Sequence, residues 1–163
     1  MLGKDRATLL ELVRTAGSIK IRLIEDGPYE EDPCRPLNFG HTVGHALETV
    51  TGYRAVRHGE AISVAMAVAV RIASTRGLLY EAIAAQITEL LRHLGPPLAA
   101  DELAVPFRAD ALVAALAKIR LIKDGLLRLV LPTGIGEVQI CDEVMDDELH
   151  KALLDCELFE AAR

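Results

Sequence analysis

The feature of this sequence that most constrains its fold is the segment Ala61–Val70, which is apolar on nearly every helical face. A helix that is apolar all round must be surrounded by other elements, so the segment predicts a buried central helix ending near Gly77. The run is too short to cross a bilayer, which needs about 20 apolar residues. We therefore expect the other helices of the chain to pack around this one.

The rest of the chain predicts a mainly α-helical domain. Residues 25–36 hold three prolines and a glycine and are predicted as a loop. Two short β-type runs, 126–131 and 137–140, flank a turn-forming stretch and predict a small hairpin near residues 126–140. Apolar residues at helical spacing predict helices over 5–24, 38–50, 80–94, 109–123 and 145–161. We expect one bundle-like domain over residues 1–163.

Composition excludes several classes of protein. The formal net charge is −6, which argues against nucleic-acid or anionic-membrane binding. Three cysteines, widely spaced and without a CxxC pair, do not predict a disulfide framework or a thiolate zinc site. The charged start of the chain lacks the apolar core of a signal peptide, so we expect a cytoplasmic protein.

Histidines cluster between residues 41 and 58. His41 and His45 are four residues apart, so on a helix they share one face. His58 follows a short connection and can return to the same point. Imidazole is a good zinc ligand, and a tetrahedral site needs a third or fourth donor. This spacing favours a divalent-metal site.

The residues of this stretch also admit roles other than metal binding. An HxxxH pair alone is common, and Thr42 stands where a metalloprotease has its catalytic glutamate, which argues against peptide hydrolysis. Gly40 and Gly44 permit either the close approach of a ligand or tight helix packing. Glu48 lies one turn beyond His45 and is either a partner that orients an imidazole or a surface charge.

The same stretch carries a resemblance to a known family. Residues 35–48 have the sequence RPLNFGHTVGHALE, followed by Gly52-Tyr53 and by HGEA from His58. This pattern strongly resembles the signature of 3-dehydroquinate synthases and related sugar-phosphate cyclases. Weaker similarity extends to Ile19-Lys20, Glu30, the run from Gly125 to Pro132, and Ile135-Gly136. It covers most of this chain but only the second half of a family member.

The resemblance implies specific roles for these residues. His41 and His58 are expected to bind Zn²⁺ or Co²⁺, and His45 to act in catalysis. Substrate or phosphate contacts are expected from Lys20, Arg35, Asn38 and His45. The family's third metal ligand, a glutamate, and the NAD-binding α/β domain precede the part that resembles this chain. We expect that N-terminal half to be absent here and to act in cis or as a separate partner.

The implied reaction converts a sugar phosphate into a carbocycle. In the family, NAD oxidises a ring hydroxyl, phosphate is eliminated, the ketone is reduced and an aldol closure follows. The first hypothesis is one half of a 3-dehydroquinate synthase, which takes a heptulosonate phosphate into the shikimate pathway of aromatic amino acid biosynthesis. The alternatives are half of a sedoheptulose 7-phosphate cyclase and a non-catalytic interaction or homo-oligomerisation module.

Two departures from the family pattern bear on the substrate. Residues 119–121, Ile-Arg-Leu, stand where the family usually has Asp-Lys-Lys, so only Arg120 keeps a positive charge. Arg35 lies three residues before Asn38, whereas the family arginine lies four before and strict register places Cys34 there. Both changes leave room for a heptulose phosphate other than that of 3-dehydroquinate synthase.

Overall fold

The structure is a computed structural model that describes residues 5–25, 36–99, 102–103, 108–122, 125 and 127–158. In chain order the helices are α1 (Arg6–Glu25), a 3-10 turn (Pro36–Asn38), α2 (His41–Val50), α3 (His58–Thr75), α4 (Glu81–Leu94), α5 (Ala109–Ile122) and α6 (Asp146–Leu158). The strands β1 (Leu129–Gly134) and β2 (Glu137–Cys141) lie between α5 and α6. The expected mainly α-helical fold with a small hairpin is confirmed. The loop predicted over 25–36 lies mostly outside the described residues.

Helix α3 is the central helix that the apolar segment predicts. It contacts α2, α4, α6 and strand β1. Its apolar side chains are buried on several faces; Val68 and Ile72, for example, are fully inaccessible. The surrounding helices and strands contribute Leu47, Leu112, Leu116, Leu131 and Leu149 to the same core. Burial of these side chains is the main force that holds the bundle together.

Two glycines let α2 lie against α3. Gly40, just before α2, has φ +82°, and an added Cβ would stand 3.0 Å from both the Ile62 carbonyl oxygen and Met66 Cγ. Gly44 is buried, and a Cβ there would come within 2.7 Å of Ile62 Cδ1. Of the two roles considered for these glycines, the structure shows helix packing.

The hairpin differs in detail from the prediction. Strand β1 begins at Leu129 and continues through Pro132 to Gly134, and the turn consists of Ile135 and Gly136. The predicted turn from Pro132 was therefore too long. Pro132 pairs with Val138 immediately before a bulge, in a sheet whose two strands are both edge strands, and proline is found in strands at such places. Residue 126, where the first run was predicted to start, lies outside the described residues, and Leu127 forms an isolated bridge with Glu143 ahead of β1.

Helix α1 stands apart from the core. None of its residues is buried, and seven of its large apolar side chains are between 38% and 67% exposed. The exposed set is Leu9, Leu10, Leu12, Val13, Ile19, Ile21 and Leu23. Periodicity predicted the helix but not that its apolar face would be uncovered. Within the described residues, no helix is both long and apolar enough to cross a membrane.

Candidate metal centre

One helix–turn–helix unit positions the three clustered histidines. His41 is the first residue of α2, His45 lies one turn later, and His58 is the first residue of α3. The connecting turn reverses the chain through two positive φ angles, +74° at Gly52 and +61° at Tyr53. The start of α3 is capped by Glu60, whose Oε2 accepts a hydrogen bond of 2.9 Å from the Arg57 N–H. The chain thus returns His58 to the face of α2 that carries the other two histidines.

The three imidazole rings converge. The ring centroid of His41 is 5.5 Å from that of His45 and 5.6 Å from that of His58. The His45 and His58 centroids are 5.8 Å apart. His41 is half-buried, whereas His45 and His58 are exposed. The rings form a nearly equilateral triangle that is open to solvent on one side.

Hydrogen bonds define the tautomers of two of these rings. His58 Nδ1 lies 3.0 Å from Glu48 Oε1, and His41 Nδ1 lies 3.4 Å from the Phe39 carbonyl oxygen. Carboxylate and carbonyl oxygens only accept hydrogen bonds, so these contacts favour the tautomer with the proton on Nδ1 in both rings. The Nε2 lone pair of each neutral ring is then available to a cation.

Burial lowers the pKa of His41 below its usual range. The carbonyl of Phe39 raises this pKa in part, while the neighbouring His45 and His58 lower it further. Desolvation and the neighbouring imidazoles therefore both disfavour protonation of His41. His41 is therefore biased towards the neutral form, which is the form that binds metal.

The cluster has the donor chemistry of a zinc or cobalt site. Donor atoms of His45, Glu48 and His58 all lie within 4.8 Å of one another. His41 adds a third ring at a similar centroid distance. Imidazole nitrogen with one carboxylate oxygen suits Zn²⁺ better than the oxygen-rich sites of Mg²⁺ or Ca²⁺. The residues present therefore fit a divalent transition metal.

The structure brings Glu48 into the cluster, although the predicted site residues did not include it. Its side chain is only 12% exposed, and its carboxylate bridges from α2 to the first residue of α3. The available sequence signal was its position three residues after His45, which places both on one helical face. That signal alone did not distinguish a partner of the site from a surface charge.

The other predicted site residues are placed as follows. Asn38 ends the 3-10 turn just before α2 and is half-buried, and Lys20 is exposed on α1. Arg35, with its alternative Cys34, lies outside the described residues. In the stretch 119–121, where the family usually has Asp-Lys-Lys, Ile119 is partly buried and packs against the core. The three histidines and Glu48 thus lie together in one cluster, whereas Lys20 lies on helix α1.

Comparison with known proteins identifies the class to which this fold and site belong. The family model described as "3-dehydroquinate synthase C-terminal" matches residues 1–120. The chain therefore belongs to the 3-dehydroquinate synthase family, through its C-terminal part.

Three relatives show which members it is similar to. A 2-epi-valiolone synthase of Actinosynnema mirum is 51% identical over 143 residues, covering 88% of this chain and 37% of the relative. A 3-dehydroquinate synthase of Thermodesulfovibrio yellowstonii is 31% identical, covering 94% of this chain and 42% of the relative. The structure of a 2-epi-5-epi-valiolone synthase from Streptomyces hygroscopicus, with NAD⁺ and Zn²⁺ bound, superposes with a TM-score of 0.79. That structure is 29% identical, and the match covers 92% of this chain and 40% of the solved one. The chain thus spans about two fifths of the length of these relatives.

Proposed function

We propose that this chain is the metal- and substrate-binding C-terminal part of a sugar-phosphate cyclase. The observation that carries the proposal is the convergence of the rings of His41, His45 and His58, with centroids 5.5 to 5.8 Å apart, at an open face of the bundle. Such a cyclase needs a cation held by neutral imidazoles where a substrate can reach it. The family membership and the Zn²⁺ and NAD⁺ bound to the solved valiolone synthase support the proposal.

The site residues have two kinds of role, metal binding and contact with the substrate. His41 and His58 hold Zn²⁺ or Co²⁺ through Nε2, because their Nδ1 atoms are already hydrogen-bonded. When bound, the metal acts as a Lewis acid on substrate hydroxyl and carbonyl oxygens. His45 is exposed beside these two rings and serves the substrate, by hydrogen bonding and by holding or moving a proton. Asn38, Lys20 and Arg35 supply donors for the hydroxyl and phosphate groups.

The proposal includes an NAD-binding part in cis or in trans. The relatives are more than twice as long as this chain, which matches less than half of each. Helix α1 offers an uncovered apolar face formed by Leu9, Leu12, Val13, Ile19 and Leu23. Exposed apolar surface of this kind marks a contact with another element or chain. The redox step then belongs to the nicotinamide, and this chain supplies the metal donors.

A C7 sugar phosphate of the valiolone-forming type is the favoured substrate. Identity to the 2-epi-valiolone synthase is 51%, against 31% for the 3-dehydroquinate synthase. The substitution of Ile-Arg-Leu at 119–121 points the same way, because it leaves only Arg120 of the three charges typical of the 3-dehydroquinate synthases. We therefore place sedoheptulose 7-phosphate ahead of 3-deoxy-arabino-heptulosonate 7-phosphate.

A chimaera tests both the activity and the substrate. The matched C-terminal part of the Actinosynnema mirum synthase is replaced by this chain, and phosphate release is measured with NAD⁺ and either Zn²⁺ or Co²⁺. Sedoheptulose 7-phosphate should release phosphate faster than the heptulosonate phosphate, and the His41→Ala/His58→Ala variant should release none. The matched control is His93→Ala, an exposed histidine of α4 outside the cluster.

Two results would contradict the proposal. A folded chimaera that binds NAD⁺ and Zn²⁺ but turns over neither substrate would leave an interaction module as the function of the domain. A chimaera with a clear preference for 3-deoxy-arabino-heptulosonate 7-phosphate would restore 3-dehydroquinate synthesis as the activity.

A further inference from the structure

Glu48 makes a contact that belongs neither to metal binding nor to substrate contact in the proposed function. Its Oε1 lies 3.0 Å from Nδ1 of His58, across the gap between α2 and α3. The Glu48 side chain is 12% exposed, whereas the His58 side chain is 56% exposed. A mostly buried acceptor therefore holds Nδ1 of an imidazole whose side chain is largely exposed.

This contact restricts His58 in two ways. An ionised carboxylate accepts but cannot donate, so the neutral ring must carry its proton on Nδ1. Nε2 is then the basic nitrogen, and the hydrogen bond also limits rotation of the ring about its side-chain torsions. Carboxylates in this relation to a metal-binding histidine raise its basicity, and their loss typically weakens metal binding about 10- to 100-fold.

The neighbouring histidine provides an internal comparison. His41 also has its Nδ1 held, but by the Phe39 carbonyl oxygen at 3.4 Å. That bond is longer and its acceptor is neutral, so it restrains the ring less than a carboxylate at 3.0 Å does. His58 depends on a side chain for its orientation, whereas His41 depends on the backbone.

We propose that Glu48 is a positioning residue that acts through His58, fixing its Nδ1–H tautomer and aiming Nε2 at the metal. This inference rests on the metal site of the proposed function. The competing assignment is direct ligation, because donor atoms of Glu48, His45 and His58 lie within 4.8 Å of one another. Positioning is favoured because the carboxylate already accepts the Nδ1–H bond from α3. The two assignments differ in the coordination that they give the metal.

The first test needs no metal. ¹⁵N-detected imidazole resonances of the 163-residue chain at neutral pH should show His58 in its Nδ1–H tautomer. Glu48→Ala should shift His58 towards the tautomer mixture of free imidazole, and Glu48→Asp should restore part of the Nδ1–H population. The control is Glu89→Ala, which removes a carboxylate 3.4 Å from Nδ1 of the exposed His93. An unchanged His58 tautomer in Glu48→Ala would overturn the proposal even if the chain proved to bind no metal.

The second test uses Zn²⁺ and Co²⁺ alone. Calorimetry should show Zn²⁺ affinity about 10- to 100-fold weaker in Glu48→Ala and unchanged in Glu89→Ala. At saturating Co²⁺, the visible absorption bands of Glu48→Ala should match those of the parent chain in position and intensity, because the ligand set is unchanged. Altered bands at saturation would make Glu48 a ligand, and unchanged affinity would make it a structural residue; either outcome contradicts positioning. Failure of the chain to bind any metal would instead count against the proposed function.

Discussion

Arg76 binds the carboxylate of Glu148 at two points, with Nε 2.6 Å from Oε1 and Nη2 2.7 Å from Oε2. The same Nη2 donates to the Glu143 carbonyl oxygen at 2.6 Å. Arg76 follows the last residue of α3, and Glu148 lies in the first turn of α6. One guanidinium thus ties the end of the central helix to the terminal helix, and its planar fork suits this geometry better than an ammonium does.

Replacing this arginine should destabilise the domain. Lysine cannot make the two parallel bonds, so Arg76→Lys should lower the free energy of unfolding by about 1–2 kcal/mol, since both side chains are partly exposed. Urea denaturation measures the loss. Arg54→Lys, at an exposed arginine in the turn after α2, is the control and should be neutral. Equal midpoints for the two variants would show that the fork contributes nothing.

Gly40 should tolerate no side chain. Its φ of +82° costs an L-residue about 1–3 kcal/mol, and a Cβ would press on the Ile62 carbonyl and Met66. Gly40→Ala should therefore destabilise the fold and displace the start of α2, where His41 lies, so that Zn²⁺ affinity falls as well. Thermal denaturation and calorimetry measure the two effects.

Gly59→Ala is the matched control for that prediction. Gly59 also neighbours a cluster histidine, but it has no positive φ and no atom within 4 Å of an added Cβ. Alanine in this helical position should stabilise by about 0.5–1 kcal/mol. If the two alanine variants had the same stability, the close packing at Gly40 would make no contribution to the free energy of unfolding.

Zn²⁺ should stabilise the folded chain through the cluster. At a free concentration 100 times the dissociation constant, a single site adds about 2.7 kcal/mol to the free energy of unfolding. The midpoint of thermal unfolding should rise with Zn²⁺ in the parent chain and in His93→Ala, and stay constant in His41→Ala and His58→Ala. A rise that persisted in both cluster variants would place the metal elsewhere.

A carboxylate at the start of α5 should give a small acid-dependent contribution to stability. Hydrogen bonds from Arg108 and then His150 lower the pKa of Asp110 below its ordinary value of 3.8. The unfolded chain therefore takes up this proton first. The contribution is fully present well above pH 3.8 and is lost as the pH falls through the lower pKa of the folded state.

A double-mutant cycle isolates this contribution. Coupling between Arg108→Ala and Asp110→Asn should be measurable near pH 6 and vanish in strong acid. Both side chains are exposed, so the coupling should also shrink in high salt. Coupling that persisted below the folded-state pKa would mean that charge is not its source.

The central helix and the histidine cluster could be anticipated because their signals are local. A stretch that is apolar on all faces has one stable environment, and helical spacing places His41 and His45 on one face without tertiary information. The packing role of Gly40 and Gly44 was less accessible, because it depends on which residues of α3 face them. The close approach of Ile62 and Met66 to these glycines exists only in the folded state.

Features that depend on contacts between residues distant in sequence could not be predicted from local patterns. The Glu48–His58 contact requires the turn at Gly52 and Tyr53 to bring α3 back at one particular angle. Strand β1 continues through Pro132 because the sheet has only two strands, and a rule that excludes proline from strands does not foresee this. The exposure of α1 depends on what covers it, and periodicity does not encode that.

The turn at Gly52 and Tyr53 makes the cluster contiguous in sequence, since every imidazole in it comes from residues 41–58. Closing such a short loop costs little chain entropy compared with joining the two ends of the domain. Because α3 is also the central helix of the core, a cation held by these histidines would be released only when the core itself opens.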